Sequence, residues 1–199
     1  MTQVPGNFDE VGREFLGYFT EMGGLNPDQR ILDIGCGPGR MAIPLTGFMN
    51  SSGRYDGIDD WPEAISWCSD NVSAKFGNFH FHTIETNAPA PFADSAFDMT
   101  ILCAISRITK DQFLKYMSEA GRVLRTGGTY VGTCFVLGDS APADSPELPA
   151  EHPISFYEDD LRSVFSAADM SLDAIHRGRW NGYLAGLSYQ DLLIAHKVS

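Results

Sequence analysis

The sequence predicts a doubly wound α/β domain, built on a mostly parallel sheet with helices on both faces. Two observations carry this prediction: strand-like and helix-like segments alternate along the chain, and a glycine-rich loop directly follows the first strand-like segment. With 199 residues, of which 43% are hydrophobic, the chain can bury one sizeable core. We therefore expect a single domain over 1–199 that opens with a helical segment over 1–29.

Helix signals recur through the chain. In the first helix, apolar residues follow one another at steps of three and four between Phe8 and Met22, and Gly23 and Gly24 can end it. Pro62 suits the first turn of a helix because the N–H that it lacks would be unpaired there. The other predicted helices lie in "RMAIPLTGFM", which Pro44 and Gly47 interrupt, and in "PEAISWCSDNVSAKF", "DQFLKYMSEAGRVL" and "EDDLRSVFSAADM".

Strand signals lie between these helices. The segment "FDMTILCA" is almost continuously apolar, which is typical of a strand that is buried on both faces. Since the last two strands have no helix between them, we expect them to pair antiparallel at one edge of the sheet. The other predicted strands are "RILDIG", "RYDGID", "NFHFHTIE", "GGTYVGTCFVL", "SLDAIHRGRW" and "YQDLLIAHKV".

Charge and composition restrict the partners of the chain. There are 14 basic and 26 acidic residues, and a formal charge of -12 repels a phosphate backbone. This balance argues against nucleic acid and favours a small-molecule or peptide partner. The sequence shows neither a basic n-region with an apolar h-region nor an apolar run of about 18 residues. We therefore expect a cytoplasmic protein with no membrane partner.

The four cysteines predict no metal site. They lie more than 30 positions apart, so no pair has the spacing of zinc ligands. Cys68, Cys103 and Cys134 lie in apolar or amphipathic runs and are interpreted as buried, reduced residues. Cys36, between two glycines, is interpreted as a small residue in a tight turn.

The loop in "ILDIGCGPGR" has the chemistry of a ligand site. Gly35, Gly37 and Gly39 allow positive φ and a close approach of a ligand to the backbone, next to a helix N-terminus that favours negative charge. The spacing, however, is GxGxG rather than the GxGxxG of dinucleotide sites. Asp33 would repel a pyrophosphate but attract an ammonium or sulfonium group. Purely structural alternatives are that Asp33 caps its turn and that Gly35 serves helix–strand packing.

A second acid indicates a nucleoside ligand. Asp59 ends the second predicted strand, twenty positions after Gly39. A carboxylate at this point of a doubly wound sheet can accept hydrogen bonds from both hydroxyls of a ribose.

The chain resembles the class I S-adenosylmethionine-dependent methyltransferases. The resemblance rests on five segments in the family's order: "ILDIGCGPGR", "YDGIDDWPEAISWC", "PFADSAFDMTILCA", "AGRVLRTGGTYV" and "SYQDLLIAHK". It implies a Rossmann-like sheet of seven strands with an antiparallel final strand. It also implies S-adenosylmethionine as cofactor and S-adenosylhomocysteine as product, with no metal.

The resemblance also implies roles for individual residues. Asp33 would lie near the amino group of the cofactor, and Asp59 would hold the ribose hydroxyls. Glu85 lies near where relatives often carry an aspartate that accepts a hydrogen bond from the adenine amine, although a solvated loop carboxylate is the alternative. The implied cofactor-binding set is Asp33, Gly35, Cys36, Gly37, Gly39, Asp59, Asp60, Glu85 and Cys103, with Cys103 also facing the acceptor.

The acceptor side is less well defined. Where many relatives have a histidine after the fourth strand, "AISRITK" has Arg107, which is either a group that binds an acidic acceptor or a surface residue. Trp180 either lines the pocket or packs at a strand end. A general base, if one is needed, would come from His152, Tyr157 or His176, each of which also has a structural interpretation.

A proline-rich, acidic loop over 138–153 contains no Lys or Arg. We expect it to be either a lid over the cofactor and acceptor or a surface excursion. Taken together, the sequence predicts a monomeric or homodimeric enzyme that methylates an oxygen or nitrogen of a small-molecule metabolite or natural product. The alternatives are a cofactor-binding regulatory protein without catalysis and a nicotinamide-dependent oxidoreductase.

Overall fold

A computed structural model describes residues 8–86, 88–103, 108–140, 155–178 and 190–199. The helices are α1 (Phe8–Glu21), α2 (Ala42–Leu45), α3 (Pro62–Cys68), α4 (Lys110–Val123) and α5 (Glu158–Ala167). The strands are β1 (Arg30–Ile34), β2 (Arg54–Asp59), β3 (Phe79–Thr83), β4 (Phe97–Leu102), β5 (Leu124–Val136), β6 (Ser155–Phe156), β7 (Met170–His176) and β8 (Asp191–Lys197). Within these segments, none of the helices has the length and apolar character needed to cross a bilayer.

The sheet has the strand order β3-β2-β1-β4-β5-β8-β7, with the two-residue β6 paired to β5 beside this path. Strands β1 to β5 are parallel to one another, and β8 runs antiparallel to both β5 and β7. The predicted mostly parallel sheet with an antiparallel final strand is therefore confirmed. The last two strands do pair antiparallel, but β7 forms the edge because β8 inserts between β5 and β7.

Two predicted helices are shorter than their sequence patterns. In "RMAIPLTGFM" only Ala42–Leu45 is helical. Pro44 lacks an N–H and is tolerated only in a first turn, so the helix cannot begin much earlier. The helix predicted from Pro62 onward leaves α geometry after Cys68 and continues as a π-helical turn, Ser69–Ser73, in which the N–H of Ala74 donates to the carbonyl of Ser69.

Each face of the sheet buries its own apolar cluster. One face packs against α1, α2 and α3, with Phe15, Phe19 and Leu45 fully buried there. The other packs against α4 and α5, with Phe113 and Phe165 fully buried. This two-layer burial is what holds the carboxyl ends of β1, β2 and β4 in place next to one another.

The connection between β3 and β4 contains no helix in its described residues, 84–86 and 88–96. The face of β2 that such a helix would cover instead carries Asp56, which is 0% exposed. The Arg54 guanidinium donates to both Asp56 oxygens, at 2.7 and 2.8 Å, and His82 Nε2 lies 3.3 Å from one of them. A buried carboxylate is tolerated here because it is paired and hydrogen-bonded.

A candidate cofactor site at the carboxyl edge of the sheet

The glycine loop leaves β1 at the point where the strand order reverses between β2 and β4. In a doubly wound sheet this is where ligands bind. The N–H groups of Gly35 and Cys36 both donate to the carbonyl of Ile58, at 2.8 and 3.1 Å, and the Gly37 N–H donates to Asp59 Oδ2 at 2.7 Å. The end of β2 thus holds the loop in one conformation.

All three loop glycines have positive φ: 78° at Gly35, 50° at Gly37 and 82° at Gly39. A Cβ added at Gly35 or Gly37 would meet no other atom within 4 Å, whereas one at Gly39 would lie 3.1 Å from Cys68 Sγ. Packing is therefore not the reason for glycine at the first two positions. They border open space above the loop, and Gly39 instead makes room for α3.

Four amides of the loop are not available to bind a phosphate. The Gly39 N–H donates to the carbonyl of Cys36 at 3.1 Å, so the amides of Gly35, Cys36, Gly37 and Gly39 are all bonded within the protein. The helix that follows is only four residues long. Because pyrophosphate sites depend on unpaired amides and a helix N-terminus, this geometry does not favour a dinucleotide.

Asp59 lies half-buried beside this open space. Its Oδ1 accepts a hydrogen bond from the Trp61 N–H at 2.9 Å, in addition to the bond from Gly37 to Oδ2. Burial raises the pKa of its carboxyl above the usual value, and the two backbone donors oppose that rise. The acid therefore holds the loop and the residue before α3 in place.

Asp33 is the second acid, and it lies deeper. It is 2% exposed, and its Oδ2 accepts a hydrogen bond of 2.6 Å from the hydroxyl of Tyr55. Burial raises the pKa of Asp33 to about 7; the Tyr55 hydrogen bond lowers it and the charge of Asp59 adds to the rise. None of the ion pairs formed by the described residues includes Asp33.

Known proteins resemble this chain in sequence and in fold. A family model described as a methyltransferase domain matches residues 31–128, which include the glycine loop, Asp33 and Asp59. An S-adenosylmethionine-dependent methyltransferase from Aquifex aeolicus superposes with a TM-score of 0.68 at 19% identity, over 95% of this chain and 92% of that one. Residues 31–128 belong to the methyltransferase-domain family, and the chain has the fold of the class I S-adenosylmethionine-dependent methyltransferases.

Two further members of this methyltransferase fold or family are named for small-molecule acceptors. A 1,6-didemethyltoxoflavin-N1-methyltransferase from Burkholderia thailandensis, solved with S-adenosylhomocysteine, has a TM-score of 0.67 at 17% identity, over 96% of this chain and 80% of that one. A 2-phytyl-1,4-naphtoquinone methyltransferase from Trichormus variabilis is 27% identical over 103 residues, which is 51% of this chain and 44% of the relative. The matched segments span 32–44% of the length of three curated relatives.

Within the methyltransferase fold, the residues predicted to hold the adenosine end lie on loops after β2 and β3. Asp60 is exposed, and its Oδ2 accepts a hydrogen bond of 2.6 Å from the Thr86 hydroxyl, which joins the two loops. Glu85 is exposed beside Thr86. Trp61 is 50% exposed and begins α3. The structure thus brings these residues to one edge of the sheet, and their contacts with a cofactor remain predictions.

The cysteines near the site are buried. Cys36, Cys68, Cys103 and Cys134 are all buried, as predicted for reduced structural residues. Burial raises the pKa of the Cys68 thiol to about 12, and it also raises the pKa values of the other three thiols. These are poor conditions for a nucleophile. In the described residues no group of three or more His, Cys, Asp or Glu side chains is arranged to hold a metal ion.

The acceptor side is only partly described. Tyr157 is the residue before α5, and His176 is the exposed last residue of β7. Both lie towards the carboxyl edge of β5, and a role for either as a base remains a prediction. The other predicted acceptor-side residues, Arg107, His152 and Trp180, lie outside the described residues, as does most of the loop over 138–153.

Two features of the site were not predicted from the sequence. One is Tyr55. The sequence signal that could have pointed to it is a polar-tipped aromatic residue in a strand that is otherwise predicted to be buried, two residues before Gly57. The other is Gly57, where a Cβ would lie 2.8 Å from Cys36 Sγ and 2.9 Å from Phe81 Cδ1. Gly57 is opposite Asp33 in the β1–β2 register, so its missing side chain leaves room for the loop to close over the strand.

Proposed function

We propose that this chain transfers the methyl group of S-adenosylmethionine to an oxygen or nitrogen of a small molecule. The observations that carry the proposal are the open space above Gly35 and Gly37, the Asp59 carboxylate bonded to the loop beside it, and the pairing of the Gly35, Cys36, Gly37 and Gly39 amides within the protein. Such a site suits a ligand that combines a positive charge with a ribose, and it does not suit one with a pyrophosphate.

The proposed division of roles follows from burial. Asp33, deep under the loop, would pair with the ammonium group of the cofactor. Asp59, at the mouth, would accept hydrogen bonds from the ribose hydroxyls. Gly35, Cys36, Gly37 and Gly39 would lie against the methionine and ribose, Asp60 and Glu85 would serve the adenosine end, and Cys103 would border the methionine side.

The chemistry needs little from the protein. When bound, S-adenosylmethionine supplies a methyl group already activated by the sulfonium charge. The residues around the site would align the acceptor with the bond to that methyl group and exclude water, which is catalysis by proximity. A hydroxyl acceptor would need a base nearby, and Tyr157 and His176 are the described candidates.

A small-molecule acceptor is supported by two further observations. The formal charge of -12 repels nucleic acids. The relatives that are named for their acceptors act on a phytyl-naphthoquinone and on didemethyltoxoflavin.

Calorimetric titration of the purified protein with S-adenosylmethionine and S-adenosylhomocysteine tests the proposal, with NAD(H) as the control ligand. Binding of both sulfur nucleosides and not of NAD(H) is expected. Binding of neither would overturn the proposal. A panel of hydroxyl, amine and carboxylate acceptors, followed by S-adenosylhomocysteine release, then separates an enzyme from a regulatory protein that binds the cofactor without turnover.

A further inference from the structure

Tyr55 and Asp33 form a buried pair directly beneath the proposed cofactor site. Tyr55 is 0% exposed, and its hydroxyl is 2.6 Å from Asp33 Oδ2. The Tyr55 ring is held by a stacked contact with Phe79 at 5.2 Å and a tilted one with Phe81 at 5.6 Å. Because the ring cannot swing away, the hydroxyl position is determined by the core.

This hydrogen bond is the only one that the Asp33 side chain makes with the described residues. The bond occupies Oδ2, and Oδ1 accepts no hydrogen bond from the described residues. A carboxylate with a single donor is poorly compensated for its burial, because ionised carboxylates ordinarily accept several hydrogen bonds or an ion pair. A cationic group that reached Asp33 Oδ1 would compensate this burial.

The groups around Asp33 do not supply that charge. The titratable groups that act on it are Asp59 at the end of β2, Tyr55 in β2, and the thiols of Cys36 in the loop, Cys68 in α3 and Cys103 after β4. All are acids, so none contributes a positive charge. The Tyr55 hydroxyl is the one group among them that donates a hydrogen bond to Asp33 and so favours its ionised form.

We propose that Tyr55 is a positioning residue for the amino-acid end of the cofactor: its hydroxyl orients the Asp33 carboxylate towards the ammonium group and favours its ionised form, and binding is coupled to the loss of one proton from Asp33. The inference rests on the proposed function. The proton that Asp33 carries in part of the free protein near neutral pH goes to solvent when the ammonium group binds. Binding should therefore strengthen as the pH rises through the titration of Asp33.

Two ligands separate this role from a general effect on the site. S-adenosylhomocysteine carries the ammonium group, whereas methylthioadenosine has the same nucleoside without the amino-acid portion. The two are titrated by calorimetry between about pH 6 and about pH 8, in buffers of different ionisation enthalpy, so that proton release is measured directly.

Tyr55→Phe is the test variant, and Tyr130→Phe is its matched control. Tyr130 is also 0% exposed, lies in the cluster on the other face of the sheet, and has a hydroxyl without a partner in the described part of the chain. Tyr55→Phe should weaken S-adenosylhomocysteine binding near pH 7 by about five- to ten-fold and shift its pH profile upward, since losing the donor makes Asp33 harder to ionise. Methylthioadenosine binding should not change, and Tyr130→Phe should behave as the wild type with both ligands.

Several outcomes would overturn the inference. One is an unchanged pH profile for Tyr55→Phe; another is an equal loss of affinity for both ligands, which would indicate only a structural role. If Tyr55→Phe does not fold, the wild type and Asp33→Asn show whether binding is linked to the Asp33 proton. The wild type should release a proton when it binds S-adenosylhomocysteine but not when it binds methylthioadenosine. Asp33→Asn should bind S-adenosylhomocysteine weakly and release no proton. A wild type that binds neither ligand would overturn the proposed function together with the inference.

Discussion

The backbone N–H of Gly37 donates to Asp59 Oδ2 over 2.7 Å, and this bond ties the loop after β1 to the end of β2. The same carboxylate accepts from the Trp61 N–H, so one side chain connects the loop, the strand and the start of α3. The residue proposed to hold the ribose therefore also shapes the surface on which the rest of the cofactor would lie. These two hydrogen bonds fix the carboxylate relative to the loop, and such preorganisation reduces the ordering cost of binding.

Replacing Asp59 should separate its two contributions. Asp59→Ala loses both the ribose acceptor and the Gly37 bond, so S-adenosylhomocysteine binding should weaken by roughly 1.5–3 kcal/mol, the usual range for hydrogen bonds to a charged group. Asp59→Asn keeps an oxygen for the Gly37 N–H but turns its NH₂ group towards the Trp61 N–H, so it should lose an intermediate amount, about 1–2 kcal/mol. Calorimetric Kd values measure both effects. Wild-type affinity in Asp59→Ala would remove this residue from the cofactor site.

Gly35→Ala and Gly127→Ala should have similar effects on folding and different effects on binding. Both glycines have positive φ, 78° and 73°, and a Cβ at either position would meet no atom within 4 Å. Each substitution should cost about 1–2 kcal/mol of stability through the left-handed backbone, which thermal unfolding measures. Only Gly35→Ala places a methyl group in the proposed ligand space, because Gly127 lies near the beginning of β5, away from the carboxyl edge. Normal S-adenosylhomocysteine binding by Gly35→Ala would mean that the ligand lies elsewhere.

Asp33 should make the free protein less stable as the pH rises. Its pKa is raised by burial from an ordinary 3.8 to about 7, so between these values the folded state holds a proton that the unfolded state has lost. The free energy of unfolding should fall from about pH 4 to about pH 7 and then level off, with a contribution on the order of 4 kcal/mol at most. Denaturant unfolding of Asp33→Asn across this range measures the difference, because the amide does not titrate. Parallel pH profiles for the two proteins would contradict the raised pKa.

A Gly→Ala substitution should stabilise the protein in one helix and destabilise it in another. At Gly17 in α1 a Cβ would meet nothing within 4 Å, so the mutant should gain about 0.5–1 kcal/mol of stability from helix propensity. At Gly121 in α4 a Cβ would clash with the carbonyl oxygen of Ala168. Gly121→Ala should therefore be destabilising by about 1–3 kcal/mol, because α4 and the end of α5 would have to move apart. Urea unfolding measures both, and a stabilised Gly121→Ala would contradict this packing.

Much of the architecture was predictable from the sequence because it depends on local patterns. Alternation in "NFHFHTIE" identified β3, a nearly continuous apolar run identified β4, and steps of three and four identified α1. The short α2 is also a local effect, since Pro44 restricts where its helix can begin. The glycine spacing and Asp33 lie in one short segment, and Asp59 was recognised by its place at the end of the second predicted strand; together they predicted where a ligand would bind and which charge it would carry.

The tertiary structure decided which residues meet across the sheet. Tyr55 lies 22 positions from Asp33, and nothing in the local pattern of "RYDGID" shows that its hydroxyl reaches a carboxylate on the next strand. The occupied loop amides and the insertion of β8 between β5 and β7 are likewise long-range pairings. Periodicity in the sequence shows whether a residue faces the core. Which partner it meets in the core depends on strand order and register, and these are set by the whole chain.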